Sequence, residues 1–129
     1  MPRVIHFEIH AEDPRRAIKF YETVFGWTFH RWPGPVEYWL VTTGSKEEPG
    51  IDGGLVLRRG DAPAEGQPVN AFVCTLDVAD VDTAVSAARS AGGSVAVPKM
   101  AVAGVGWLAY VKDTEGNILG LMQTDSSAA

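Results

Sequence analysis

Residues 3 to 26 read Arg-Val-Ile-His-Phe-Glu-Ile-His-Ala-Glu-Asp-Pro-Arg-Arg-Ala-Ile-Lys-Phe-Tyr-Glu-Thr-Val-Phe-Gly. From Val4 to His10 apolar and polar residues alternate, the period of a half-buried strand. Ile5, Phe7 and Ile9 face one way, and His6, Glu8 and His10 the other. Asp13-Pro14 then supplies an N-cap followed by proline at the first helical position, where its missing N–H has no helical partner to lose. Ala17, Ile18, Phe20, Tyr21, Val24 and Phe25 recur at helical spacing. Gly26 stands where a helix ends in a left-handed residue. An alternating strand feeding a capped helix, with three polar groups on one strand face, points to a sheet-lined small-molecule site.

Outward from this stretch, Trp27 to Trp32 reads as a second strand and Pro33-Gly34-Pro35 as a turn. Glu37 to Thr43 is a third strand, rich in aromatic and β-branched residues. Gly53 to Arg58 is a fourth, opened by two glycines. Residues 59–68 carry no periodic apolar signal and form a linker. Val69 to Asp77 then reads as a strand. Asp80 caps a helix carrying Val81, Ala84, Val85, Ala88 and Ala91, closed by Gly92-Gly93. Ser94 to Val97 is a short strand ended by Pro98, Val105 to Lys112 another, and Asn117 to Gln123 the last, after a turn at Asp113–Gly116. Residues 126–129 read as a frayed tail.

The two halves share one order: strand, helix, three strands. The caps Asp13 and Asp80 are 67 residues apart, as are Gly26 and Gly93; Trp39-Leu40 and Trp107-Leu108 are 68 apart, and Gly54-Leu55 and Gly120-Leu121 66. We therefore expect an α+β domain over residues 1–129 built from two βαβββ modules, 1–58 and 69–125, joined by the linker 59–68.

The totals narrow the function. The 129 residues suit one domain, and 46% hydrophobic with 21% charged residues is ordinary for a soluble globular chain. A net charge of −5 argues against nucleic acid and against anionic membrane surfaces. No apolar run nears the roughly 18 residues of a membrane span. The single Cys74 allows no internal disulfide. The start lacks a signal peptide's apolar core. A cytoplasmic protein is expected. No nucleophile elbow, phosphate-cradling loop or dinucleotide fingerprint is present. Cys74 is expected to pack under the second helix with Phe72 and Leu76 as an inert thiol.

The chain resembles the vicinal-oxygen-chelate superfamily, also called the glyoxalase, bleomycin-resistance and dioxygenase superfamily, and within it proteins related to lactoylglutathione lyase. The resemblance lies in Ile5-His6-Phe7 through Phe20-Tyr21 to Phe25-Gly26-Trp27, in Gly50-Ile51-Asp52-Gly53-Gly54-Leu55, and in Gly106-Trp107-Leu108-Ala109-Tyr110 running into Lys112-Asp113-Thr114-Glu115-Gly116-Asn117. It implies curved mixed sheets around a ligand cavity with helices outside. It also implies, in metal-using members, one divalent ion held by residues of the first and last strands of each module. His6 matches the first of these positions. Val73, Gly53 or Gly54, and Gly120 fall at the others, and none of those side chains ligates a metal, so the full metal site is not expected. His6, Glu8 and His10 on one strand face offer a different donor set, for which hydrogen-bonded strand residues are the plainer account.

The candidate catalytic residues are His6 and Glu8. A carboxylate partly removed from water is suited to take a proton beside a carbonyl, and His6 on the same face can share it. A buried hydrogen-bonded pair holding the sheet is the bland alternative. Trp39, Met100, Trp107, Tyr110 and Met122 are expected to line the ligand wall. Gly53, Gly54 and Gly120, costly within strands, mark places where a ligand or a crossing strand approaches the backbone. The expected function is a lyase- or isomerase-type enzyme on a small carbonyl-containing molecule. The alternative is a non-catalytic protein that binds a drug or metabolite on aromatic surfaces. A homodimer is expected from exposed sheet edges.

Overall fold

Two βαβββ modules make up an α+β fold, each a mixed sheet with one helix against one face. The structure, a computed structural model, describes residues 2–129. It divides into two compact units, His6–Phe72 and residues 2–5 with Val73–Ala129.

In the first unit, β1 (Val4–Ala11) leads to α1 (Pro14–Phe25), then β2 (Thr28–Arg31), β3 (Tyr38–Thr42) and β4 (Gly53–Leu57). The strands lie in the order β2-β3-β4-β1. β1 and β4 run parallel and the other neighbours antiparallel. The helix begins as its sequence dictates: the Asp13 carboxylate accepts from the Arg16 backbone N–H at 3.2 Å. It ends at Gly26, whose φ of 73° is the left-handed conformation an L side chain avoids. Phe7, Ile9, Ala11, Val41 and Leu55 form the buried core, covered by Ala17, Ile18 and Tyr21 of α1. The apolar half of the β1 alternation thus faces the helix.

The second unit repeats the plan with β5 (Val73–Asp77), α2 (Val81–Ser90), β6 (Ser94–Val102), β7 (Gly106–Lys112) and β8 (Ile118–Thr124). Its order is β5-β8-β7-β6, with β5 and β8 parallel. Val78, Val81, Ala109, Val111 and Leu121 form its core, with Ala84, Val85 and Ala88 of α2 packed on it.

Five expectations are corrected. β5 starts at Val73, not Val69: Val69 is 94% exposed, and residues 69–72 make no ladder. Phe72 does not pack under α2. It stacks on Phe7 with ring centroids 5.4 Å apart and meets Tyr21 edge-on; Cys74 is half-buried rather than buried. Pro98 does not end β6, because β6 is the outermost strand and its pairing with β7 slips between Val97 and Met100, where a missing N–H is tolerated. The residue after α2 with left-handed φ is Gly92, at 100°, rather than Gly93. The tail is tied down: Ala128 is 3% exposed, and its carbonyl accepts from Gly104 N–H at 2.9 Å.

Register also revises one internal equivalence. Trp39 pairs with Leu55, and the counterpart of Leu55, Leu121, pairs with Ala109. Trp107 pairs with Gln123 instead. The longer β7 places its tryptophan two residues earlier along the ladder than β3 places Trp39.

Candidate functional site

On β1 of the first unit, Phe7, Ile9 and Ala11 are buried toward the helix, so alternation turns His6, Glu8 and His10 to the opposite face. β4 pairs Gly54 with Glu8, and Gly54 also pairs with Leu40 of β3. Tyr38, two residues before Leu40, therefore shares this face. A Cβ at Gly54 would collide with the Tyr38 hydroxyl and ring, so the phenol occupies the space a side chain there would fill.

The phenol reaches across β4 to β1. Tyr38 Oη lies 2.9 Å from His6 Nε2 and donates to Glu8 Oε2 at 3.4 Å. His10 Nε2 stands 3.9 Å from Glu8 Oε1. That His10 nitrogen is buried and has no hydrogen-bond partner. The Glu8 side chain is 13% exposed and that of His10 34%. The group is thus removed from bulk water without being sealed from it.

Burial sets the protonation states. It pulls the His6 imidazole below the ordinary histidine value, against the opposing charges of Glu8 and Asp52. The imidazole is neutral at neutral pH. Burial also pushes the Tyr38 phenol well above its ordinary value, and the Glu8 charge and hydrogen bond add to the effect. The phenol therefore stays a donor. A neutral imidazole, a neutral phenol and a carboxylate in one hydrogen-bonded chain can take up, orient and return a proton.

The glyoxalase/bleomycin resistance protein/dioxygenase superfamily model matches residues 3–121 of this sequence. The chain belongs to that superfamily. A serine-to-threonine variant of Streptomyces coelicolor methylmalonyl-CoA epimerase in complex with 2-nitronate-propionyl-CoA superposes with a TM-score of 0.66 at 19% identity, over 98% of this chain and 97% of that one. A methylmalonyl-CoA epimerase in complex with methylmalonyl-CoA and NH4+ gives 0.67 at 18% identity, over 100% and 99%. A hypothetical protein, BH1468 from Bacillus halodurans C-125, gives 0.67 at 10% identity, over 99% and 98%. At these identities the likeness is one of fold. No curated protein matches the chain in sequence.

The donors that a divalent ion of this superfamily would need do not fit. His6 Nε2 already bonds Tyr38, and the phenol fills the space beside Gly54. Among the described residues, no three of His, Cys, Asp and Glu form a group that could hold a metal ion.

The other expected site residues separate by face. Trp39 packs on the helix-side core of the first unit, with the Arg31 guanidinium 5.7 Å from its ring centroid. Trp107 packs on the helix-side core of the second unit, where its indole N–H donates to Asp125 at 3.0 Å and Lys99 lies 4.9 Å over its ring. Both strands turn these side chains toward the helix-side cores. In the second unit, Met100, Leu108, Met122 and Asp77 form one cross-strand row. Val97, Tyr110, Gly120 and Thr75 form the next row on the same face. Met100, Tyr110 and Met122 are thus brought together, opposite α2. His6, Glu8 and Gly54 are brought together in the first unit.

Sequence reasoning missed Tyr38. Part of its signal was available: it alternates with Trp39 on an expected strand, and the next expected strand opens with two glycines. A groove of about 480 Å³ in the first unit lies elsewhere, between the start of α1 and Arg58, and is lined by neither His6 nor Glu8.

Proposed function

We propose that this protein is an isomerase- or lyase-type enzyme that removes a proton from a carbon beside the carbonyl of a small molecule, without the superfamily's full metal site. Glu8 is the base, and His6 is its neutral partner. The observation that carries this reading is the hydrogen-bonded chain His6–Tyr38–Glu8 on the face of the β1–β4 pair turned away from α1. A base held beside a neutral donor can accept a proton and keep it oriented for delivery to a neighbouring atom, which is what a proton-shifting isomerase step requires. The isomerase class is favoured because two of the structures sharing this fold are methylmalonyl-CoA epimerases.

The test is proton exchange in deuterated water, followed by NMR, with methylmalonyl-CoA and a panel of small 2-oxo and 2-hydroxy carbonyl compounds. At least one compound should gain deuterium at the carbon beside its carbonyl. Glu8→Gln should slow that exchange by roughly 100-fold or more. Exchange unchanged in Glu8→Gln removes Glu8 from the role.

A second reading, a non-catalytic binder of a small apolar molecule, is favoured by the second unit's face of Met100, Leu108, Tyr110 and Met122. Methionines adapt to varied apolar ligands and tyrosine offers a flat surface. Binding without any exchange by the panel would select it. We further place the protein in the cytoplasm, in keeping with a free Cys74, and assign it a homodimer. The outermost strands β2 and β6 support the dimer, since each leaves backbone groups open to a second copy. No described helix is long and apolar enough to cross a membrane.

A further inference from the structure

We infer that Tyr38 is the positioning residue of this site, with Gly54 as the opening through which its phenol couples Glu8 to His6; the inference rests on the reading of Glu8 as the base. His6 and Glu8 are two residues apart on one strand face, a separation of roughly 6–7 Å along the strand. The link between them comes from β3. Tyr38 pairs with Val56, and its ring passes over Gly54 to place one oxygen 2.9 Å from His6 Nε2 and 3.4 Å from Glu8 Oε2. Any residue but glycine at 54 would put a Cβ where that oxygen and ring carbon stand.

One arrangement serves both partners at once. The phenol has a single proton, which it donates to the carboxylate. Its oxygen then accepts from the Nε2–H of a neutral imidazole. His6 is thereby fixed as the Nε2–H tautomer, and the Glu8 carboxylate is held in one rotation. When Glu8 takes a proton from the substrate carbon, the C–H bond breaks and a carboxyl O–H forms. The electron pair stays on the substrate's carbonyl-stabilised carbon. The carboxyl O–H, whose proton exchanges with solvent, then breaks as a proton is delivered to that carbon or to its neighbour, and Glu8 is regenerated. Tyr38 neither gains nor loses a proton in this cycle. It keeps the base aimed.

Two substitutions strike this link from opposite sides. Tyr38→Phe keeps the ring over Gly54 and removes only the oxygen. Gly54→Ala keeps the oxygen and displaces the ring. Each should lower kcat for an exchanged compound by roughly 10- to 100-fold while KM changes by less than about threefold. Each should also abolish the Nε2–H tautomer of His6, read on the full chain by two-bond proton–nitrogen NMR with the His6→Gln variant fixing the assignment. Circular dichroism of Tyr38→Phe should match the parent, because the ring is retained. Tyr38→Phe that keeps the His6 tautomer overturns the inference, as does one that keeps kcat in a compound that Glu8→Gln no longer exchanges. If Glu8→Gln leaves exchange intact, the base reading fails by itself. The tautomer then decides the Tyr38 link alone: its loss in both variants upholds the coupling, and its persistence refutes it.

Discussion

Glu8 stands directly opposite Gly54 in the parallel pairing of β1 with β4. The second unit repeats the relation, with Thr75 opposite Gly120 in the pairing of β5 with β8. Gly120 is also the register partner of Tyr110. In both sheets a glycine of the last strand leaves room beside a polar residue of the first strand, and an aromatic ring lies over it. In one unit the polar residue is a carboxylate with an imidazole nearby. In the other it is a threonine, whose hydroxyl does not ionise near neutral pH. At the position opposite the glycine, the duplicated frame carries a carboxylate in one copy only.

The glycine of the second copy can be tested for its packing role alone. A Cβ at Gly120 would lie 2.8 Å from Thr75 Oγ1 and 3.1 Å from the Tyr110 ring. Thr75 is 5% exposed and has little room to retreat. Gly120→Ala should therefore cost about 1–3 kcal/mol through overpacking, measured by urea unfolding. An unchanged midpoint would mean that the ring and threonine move apart freely.

Leu55 and Leu40 separate core from surface on adjacent strands of the first unit. Leu55 is 0% exposed within the helix-side core, whereas Leu40 is 46% exposed on the other face. Leu55→Ala should destabilise by about 2–5 kcal/mol, through lost transfer energy and the cavity left behind. Leu40→Ala should cost less than about 1 kcal/mol. Chemical denaturation of both variants under one condition checks the contrast. Equal costs would show that the open face is covered, as a second copy of the chain would cover it.

The frame was legible in the sequence because it rests on local signals. Asp13, Pro14 and Gly26 bracket α1 by capping chemistry, and the alternation of Val4 to His10 needs only the strand period. The acidic and basic groups on β1 were legible for the same reason. Tyr38 was not, since its role depends on register with Gly54, and register is set by pairing across the chain rather than along it. Trp39 and Trp107 were assigned to the ligand wall by residue type. The parity of their strands turns them to the helix, and one slip of parity exchanges the two faces. Pro98 stood as a strand end because an interior ladder rejects proline. An outer strand with a bulge accepts it, and edge position is a property of topology. The tail failed for a similar reason: Ser126 to Ala129 carries no pattern, yet Asp125 organises it by accepting from Ser127 N–H at 2.9 Å and from the Ser127 hydroxyl at 2.6 Å.

Gly26 isolates a backbone cost. Its φ is 73°, and no atom lies within 4 Å of the position a Cβ would take. Gly26→Ala therefore meets no steric neighbour and pays only for the left-handed conformation, about 1 kcal/mol. Thermal or urea unfolding should show this loss. A loss several times larger would mean that the helix end shifts and disturbs the aromatic packing of Tyr21, Phe25 and Trp27.

Asp113 provides a pH signature in the turn between β7 and β8. Its carboxylate accepts from the backbone N–H of Glu115 at 2.8 Å and of Asn117 at 2.9 Å, and from the Asn117 side-chain amide at 3.0 Å. The Asn117 side-chain bond is the largest of the causes that hold this carboxyl below its ordinary value. A carboxyl whose folded value is depressed binds its proton more readily when unfolded. Its contribution to stability is therefore complete above the unfolded value of 3.8 and disappears as pH falls through the lower folded value. Asp113→Ala should lower the unfolding midpoint by a constant amount between about pH 5 and pH 7. The gap to the parent protein should narrow as the pH drops below about 4. Asn117→Ala should reproduce part of the loss with the same pH dependence, because it removes one of the bonds that favour the charged form. A gap that persists undiminished into strong acid would show that Asp113 holds the turn by its shape and not by its charge.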